Sequence, residues 1–311
     1  MKKFLSLILC VILVFTLASC GCDGGAKYTV GICEFTTHSA TSDVVRGFRD
    51  YLTEKLGDDV AFDEQNAAND LGTASLIVND FVTKNVDLIL ADNTQSLQIA
   101  SAITTTIPIL GAAVTDYSVA LDSSPDGINV SGTSDLPSLD LQAEMITELF
   151  PDAKKVGLLY CSSEANSLYQ VNIIEKCLVA KGIEIKKFSF IDANDLIPTV
   201  TTACDYSDVI YLPTDNTIAS CAEAVDAVCR DARVPVIAGE KGICSACGVA
   251  TLSIDYYELG RKAGEMAYKV LVEGASVTNM PIQYEDCTKM YNPEICAELG
   301  ITVPADYVAI N

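Results

Sequence analysis

Two stretches carry the same polar triplet in the same setting. Asp92-Asn93-Thr94 follows the apolar run Asp87–Ala91, and Asp215-Asn216-Thr217 follows Asp208–Leu212; each then opens a helical pattern. A helix start offers unpaired N–H groups and the positive end of the helix dipole, which suits a carboxylate, and neutral donors complete such a site. The residues expected to touch a small ligand are therefore Asn93, Thr94 and Gln95, then Thr115 and Asp116, and in the second half Ser162, Ser163 and Asn166. Thr94, Ser163 and Thr217 serve equally well as helix caps. Asp215 and Asn216 stand out because the pair recurs, and a buried carboxylate there would hold an ammonium group. Both features together describe an α-amino acid. Lysine and arginine are scarce at these positions, which disfavours a phosphate or dicarboxylate ligand. Phe35, Tyr117, Tyr256 and Tyr257 offer apolar walls.

Catalytic chemistry finds less support. His38, beside Thr36, Thr37 and Ser39, is the one histidine, and it has no nucleophile in a recognisable context. Cys244 and Cys247 have the spacing of a redox or half-zinc motif, but no second pair matches it. No Gly-x-Gly-x-x-Gly, phosphate loop or Gly-x-Ser-x-Gly elbow is present. The reading is a non-enzyme with no cofactor and no metal. Of the 13 cysteines, Cys221 and Cys229 share a helical face with Ile218, Ala222 and Val225 and read as core. A disulfide between Cys244 and Cys247, or between Cys287 and Cys296, stays open.

The elements that must position these residues alternate. Strand-like runs fall at Tyr28–Cys33, Val86–Ala91, Ile107–Gly111, Ile128–Ser131, Lys155–Tyr160, Ile183–Phe188, Asp208–Leu212, Val234–Ala238 and Val249–Ser253. Amphipathic helical runs such as Ser42–Leu56 and Tyr257–Val272 lie between and after them. This is the α/β pattern of parallel sheets covered by helices. The halves repeat each other: Ile107-Pro108-Ile109 is echoed by Val234-Pro235-Val236, and Val30-Gly31-Ile32 by Val156-Gly157-Leu158. Two Rossmann-like lobes follow, with the polar triplets at strand carboxyl ends, where open sheets place ligands.

Location is read from the N-terminus. Lys2 and Lys3 precede an apolar run, Phe4 to Ala18, that is short for a membrane span. Leu17-Ala18-Ser19-Cys20 matches a lipobox, so residues 1–19 are expected to be a signal peptide, Cys20 the lipidated residue and 20–26 a tether. A formal charge of −22 and a pI near 4.2 oppose nucleic-acid binding.

In order along the chain, Tyr28–Ile32, Val86–Ile89, Ile107–Ile109, Ala113–Asp116, Ser162–Ser167, Leu212–Thr217 and Ile254–Gly260 resemble the ABC-transporter substrate-binding proteins of the tryptophan/tyrosine-binding lipoprotein type. The resemblance implies a type-I periplasmic-binding fold with three inter-lobe crossovers, near Gly132–Leu136, Ser253–Tyr256 and Gly274–Pro281. The lobes would be 27–133 plus 254–276 and 134–253 plus 277–311. It implies ligand contacts at Thr36, Thr37, His38, Asn93, Thr94, Gln95, Thr115, Asp116, Asn166, Asp215, Asn216 and the Glu240–Lys241 loop. The ligand is expected to be an aromatic or other hydrophobic amino acid, bound by hinge closure. Expected partners are an ABC permease and its ATPase, for a monomer held outside the cytoplasm by its lipid anchor. His38-Ser39 and Tyr117 depart from the family's usual proline-bearing loops. A sensory module for a membrane receptor and a thiol redox enzyme using Cys244 and Cys247 are the alternatives.

Overall fold

The computed structural model describes residues 25–310. The expected signal peptide, Cys20 and most of the tether lie outside the described residues.

The first lobe opens with β1 (Tyr28–Glu34), α1 (Ser39–Leu56), β2 (Val60–Asn66), α2 (Leu71–Lys84), β3 (Leu88–Asp92), α3 (Thr94–Ile103), β4 (Ile109–Ala112), α4 (Tyr117–Leu121) and β5 (Val130–Ser134). The second runs through α5 (Leu139–Leu149), β6 (Lys155–Cys161), α6 (Ala165–Ala180), β7 (Glu184–Phe190), α7 (Ala193–Tyr206), β8 (Val209–Leu212), α8 (Asn216–Ser220), α9 (Ala222–Ala232), β9 (Val236–Ala238), α10 (Lys241–Cys247) and β10 (Ala250–Ser253). The remaining elements are α11 (Tyr256–Leu271), β11 (Gln283–Tyr284), β12 (Thr288–Tyr291), α12 (Pro293–Leu299) and β13 (Val308–Ala309).

The duplication is visible in the sheets. The six-stranded sheet has the order β11-β5-β4-β3-β1-β2, and the seven-stranded one β13-β12-β10-β9-β8-β6-β7. Strands 5-4-3-1-2 of one lobe thus match 10-9-8-6-7 of the other. In each, the chain reverses its direction of winding between two neighbouring strands, β1 and β3 or β6 and β8. β3 is buried along its whole length, as a strand covered on both faces must be.

The second sheet is not wholly parallel, because β12 pairs antiparallel with β10. Two cores flank each sheet. In the first lobe, Val44, Phe48 and Leu52 of α1 pack with Leu259, Ala263 and Ala267 of α11 on one face. Phe81, Leu97 and Tyr117 lie on the other.

The chain leaves the first sheet after β5, and α5 packs in the second lobe. It returns between β10 and α11. The third crossing differs from expectation. Val277 packs in the first-lobe core and β11 pairs with β5, so Gly274–Pro281 belongs to the first lobe. The crossing lies at 285–287, just before β12. The third crossover and the lobe boundary at 277 are corrected accordingly.

Candidate functional site

In the first lobe, the carboxyl ends of β1 and β3 flank the point where winding reverses, the usual place for a ligand crevice. β1 delivers Glu34 and then the loop Phe35–His38; β3 delivers Asp92. Asn93 caps α3, its Oδ1 accepting from the backbone N–H groups of Gln95 (3.1 Å) and Ser96 (3.3 Å). Its φ of 78° and ψ of 176° fall in a region that residues other than glycine rarely occupy, so the backbone is strained at this tip. Asn93 Nδ2, Ser96 Oγ and both carboxyl oxygens of Asp92 are buried and have no hydrogen-bond partner among the described residues. Asp92 is 0% exposed. Burial first, then the Glu34 and Asp135 carboxyls, push its pKa well above the carboxylate range. A buried polar group left unpaired costs about 1–3 kcal/mol, so such a group singles out a site.

In the second lobe, Asp215 caps α8: Oδ1 accepts from the Ile218 N–H at 2.9 Å and Oδ2 from the Cys161 N–H at 2.7 Å. Glu164 reaches the same helix start. Its Oε1 accepts from the Thr217 N–H (2.9 Å) and Oγ1 (2.8 Å), and its Oε2 from the Asn216 N–H and Nδ2, both at 2.9 Å. The start of α8 therefore holds a carboxylate of the chain's own. Asn166 Nδ2 donates to the Thr214 carbonyl at 2.9 Å, and Gln170 Oε1 accepts from the Thr214 N–H at 3.1 Å. Asn166 Oδ1 and Thr214 Oγ1 keep no partner.

The two sets of tips meet. Asn216 Nδ2 donates to Gln95 Oε1 at 3.2 Å, and Asn216 Oδ1 lies 3.1 Å from His38 Nε2. Thr36 Oγ1 and Ser220 Oγ are 3.2 Å apart. The lobes are closed on each other. Desolvation lowers the His38 pKa, against the Asn216 bond and the Glu164 charge, so the ring is neutral. With Asn216 Oδ1 accepting, Nε2 carries the proton and Nδ1, which has no partner, is a free acceptor.

At the hinge, Asp135 of the first crossover accepts from Thr115 Oγ1 (3.1 Å) and Tyr256 OH (3.3 Å). Burial raises its pKa to about 6. Glu240 caps α10 through the Gly242 and Ile243 N–H groups, and burial raises it to about 7. Glu34, Asp92, Asp135, Glu164, Asp215 and Glu240 are all buried. Among the described residues, no lysine or arginine forms a salt bridge with any of them. Beside the hinge lies a crevice of about 850 Å³, lined in part by Ser39, Arg46, Glu240, Gly242 and Tyr256.

Of the residues read from the sequence, Thr36, His38, Asn93, Gln95, Asn166, Asp215 and Asn216 belong to this network. Thr94 is buried in the first turn of α3. Asp116 caps α4 through the Val119 N–H at 3.0 Å and neighbours Tyr169 of the other lobe. Thr37 is exposed and accepts from Asn66 Nδ2 at the rim. Ser162 and Ser163 are exposed and donate to the carbonyls of Phe190 and Ile191 of their own lobe. Tyr117 is a core residue whose hydroxyl donates to the Gly111 and Thr133 carbonyls, and Tyr257 packs under Arg46 with its hydroxyl on Asp50. Tyr117 is therefore no wall of the cleft, whereas Tyr257, like Tyr256, lines the crevice beside the hinge. Sequence reasoning missed Glu34, Asp92, Asp135, Glu164 and Gln170. The repeated triplet already contained Asp92, and the stretch Ser162–Ser167 contained Glu164.

The thiols of Cys244 and Cys247 are buried in α10, and burial pushes both far up, so they are inert. Among the described residues no group of side chains has the makings of a metal site.

This architecture is that of a two-lobed solute-binding protein. The chain belongs to the ABC transporter substrate binding protein family, whose pattern it matches over residues 29–309. Members of this family bind solutes outside the cytoplasm and are not enzymes. A curated relative, the tyrosine-binding protein of Clostridioides difficile, is 35% identical over 93% of this chain and 89% of its own length. A Streptococcus pneumoniae protein solved in complex with L-tryptophan is 29% identical, with a TM-score of 0.86 over 91% of this chain and 99% of its own. The ligand-free, open structure of a Clostridium difficile substrate-binding protein with adhesive properties is 33% identical, but its TM-score is 0.70 over 91% and 99%. A lower overlay at higher identity is what a different lobe angle produces, in keeping with the direct contacts between the lobes here.

Proposed function

We propose that this protein captures an aromatic L-amino acid between its lobes and delivers it to an ABC permease and its ATPase, anchored outside the cytoplasm through lipidated Cys20. The observation that carries the reading is a closed cleft of buried carboxyls that, among the described residues, form no salt bridge with a lysine or arginine, in a family with tyrosine- and tryptophan-binding relatives. A ligand ammonium supplies the missing charge. Asp92 is its partner in this reading, in place of Asp215, whose oxygens are both taken by backbone N–H groups. The adjacent Asn93 Nδ2 and the start of α3 receive the ligand carboxylate. Ligand enters the open form, and Gln95, His38 and Asn216 complete the closed one.

The test is a thermal-shift and calorimetric panel of the twenty amino acids on the mature protein. A ligand that binds only the folded state raises the melting temperature. Tyrosine or tryptophan is expected to do so, and Asp92→Asn to weaken that binding at least roughly tenfold while the protein stays folded. No response to any amino acid, from protein checked to be free of copurified ligand, overturns the reading. Release of a Cys20→Ser variant from the membrane tests the anchor.

A further inference from the structure

In the second lobe, away from the cleft, two thiols meet with nothing between them. Cys204 lies in the last turn of α7 and Cys229 in α9, and these two helices pack against each other. The two Sγ atoms are 3.7 Å apart. Cys229 is buried and Cys204 half-buried, with exposed Asp205 as its neighbour. The pair lies on the outer face of the second sheet, among Leu196, Val200 and Val225. It is neither the Cys244/Cys247 pair nor the Cys287/Cys296 pair that the sequence left open.

We propose that Cys204 and Cys229 form a disulfide that staples α7 to α9 outside the cytoplasm. A disulfide needs sulfurs about 2.0 Å apart, a closing movement that side-chain rotation between packed helices can supply. The roles of the two thiols follow from their surroundings. Cys204 is reachable from solvent, and its contact with Cys229 holds its pKa below the ordinary thiol value; the same contact and burial push Cys229 up. With a small disulfide RSSR as oxidant, the Cys204 thiolate attacks one sulfur, forming a mixed disulfide and releasing RS⁻. The Cys229 thiolate then attacks Cys204 Sγ and releases the second RS⁻. The two protein protons end on the two thiols, so RSSR is reduced to 2 RSH and the protein pair is oxidised. Closing the segment between them constrains the unfolded chain.

The test treats the mature protein with glutathione disulfide, caps the remaining thiols, and maps non-reduced peptides by mass spectrometry. The expected result is a Cys204–Cys229 cross-linked peptide and a mass lower by about 2 Da, both reversed by dithiothreitol. The melting temperature should rise by roughly 5 °C on oxidation. Cys229→Ser should stall as a glutathione adduct on Cys204, and Cys204→Ser should give neither an adduct on Cys229 nor a link from it, whatever the exposed Cys287 does. Both thiols remaining free in the wild type, or a link from Cys229 to its neighbour Cys247, overturns the proposal. The peptide map of the wild type decides even if a variant fails to fold, and it is independent of whether an amino acid binds.

Discussion

Two aspartates with the same neighbours in sequence do different work. Asp92 and Asp215 each precede Asn-Thr, yet Asn93 caps the first helix and Asp215 the second. The reason is where the strands stop. β3 runs through Asp92, whereas β8 ends at Leu212 and Pro213-Thr214 is interposed, which moves the cap by one residue. The triplet was legible; its register was not, because strand ends are set by pairing with distant residues. Glu164 was hidden for the same reason, since its partners Asn216 and Thr217 lie 52 and 53 residues away. Glu164→Ala would leave the N–H groups of Asn216 and Thr217 buried and unpaired. We expect a loss of about 3 kcal/mol in chemical denaturation, whereas Glu164→Gln, which keeps acceptors in place, should lose less. Equal losses would mean that size and not hydrogen bonding matters there.

At the scale of elements, the alternation of runs and the repeat of the two halves revealed the class and the position of the tips. What stayed hidden were short or edge pieces. β2 is an edge strand of mixed polarity, Val-Ala-Phe-Asp-Glu-Gln-Asn, and β11 has two residues, too few to show a period. That is why the third crossover was read too early. The close packing of α1 on α11 was also out of reach, although glycines marked it. A Cβ on Gly47 would sit 2.1 Å from the Tyr257 carbonyl oxygen, and one on Gly260 2.1 Å from that of Val44. Gly47→Ala must therefore push the helices apart. It should lower stability by about 3 kcal/mol in denaturant titration, despite alanine's better helix propensity. A neutral result would show that the helices separate without loss.

For the molecule as a whole, acidity and closure act together. Asp135 and Glu240, with ordinary values of 3.8 and 4.5, are raised by burial to about 6 and about 7 in the folded state. The folded protein thus holds protons that the unfolded chain gives up. These groups oppose folding increasingly as pH rises from about 4 to about 7, by about 3 kcal/mol each at the upper end. Melting temperature is expected to fall between pH 5 and pH 8. Asp135→Asn should flatten part of that slope by removing its own titration, and an unaltered slope would assign the effect to the rest of the chain's net charge of −22.

The order of the chain also governs when either lobe can be finished. α1 finds its helical packing partner in α11, and the second-lobe core is completed by Ile295, Cys296 and Tyr307. A chain emerging from the ribosome therefore carries one unfinished core in the first lobe until α11 and Val277 are made, and one in the second until Tyr307. One core of each lobe therefore waits for late residues, which delays full consolidation and keeps the polypeptide easier to thread through a narrow channel until synthesis is well advanced.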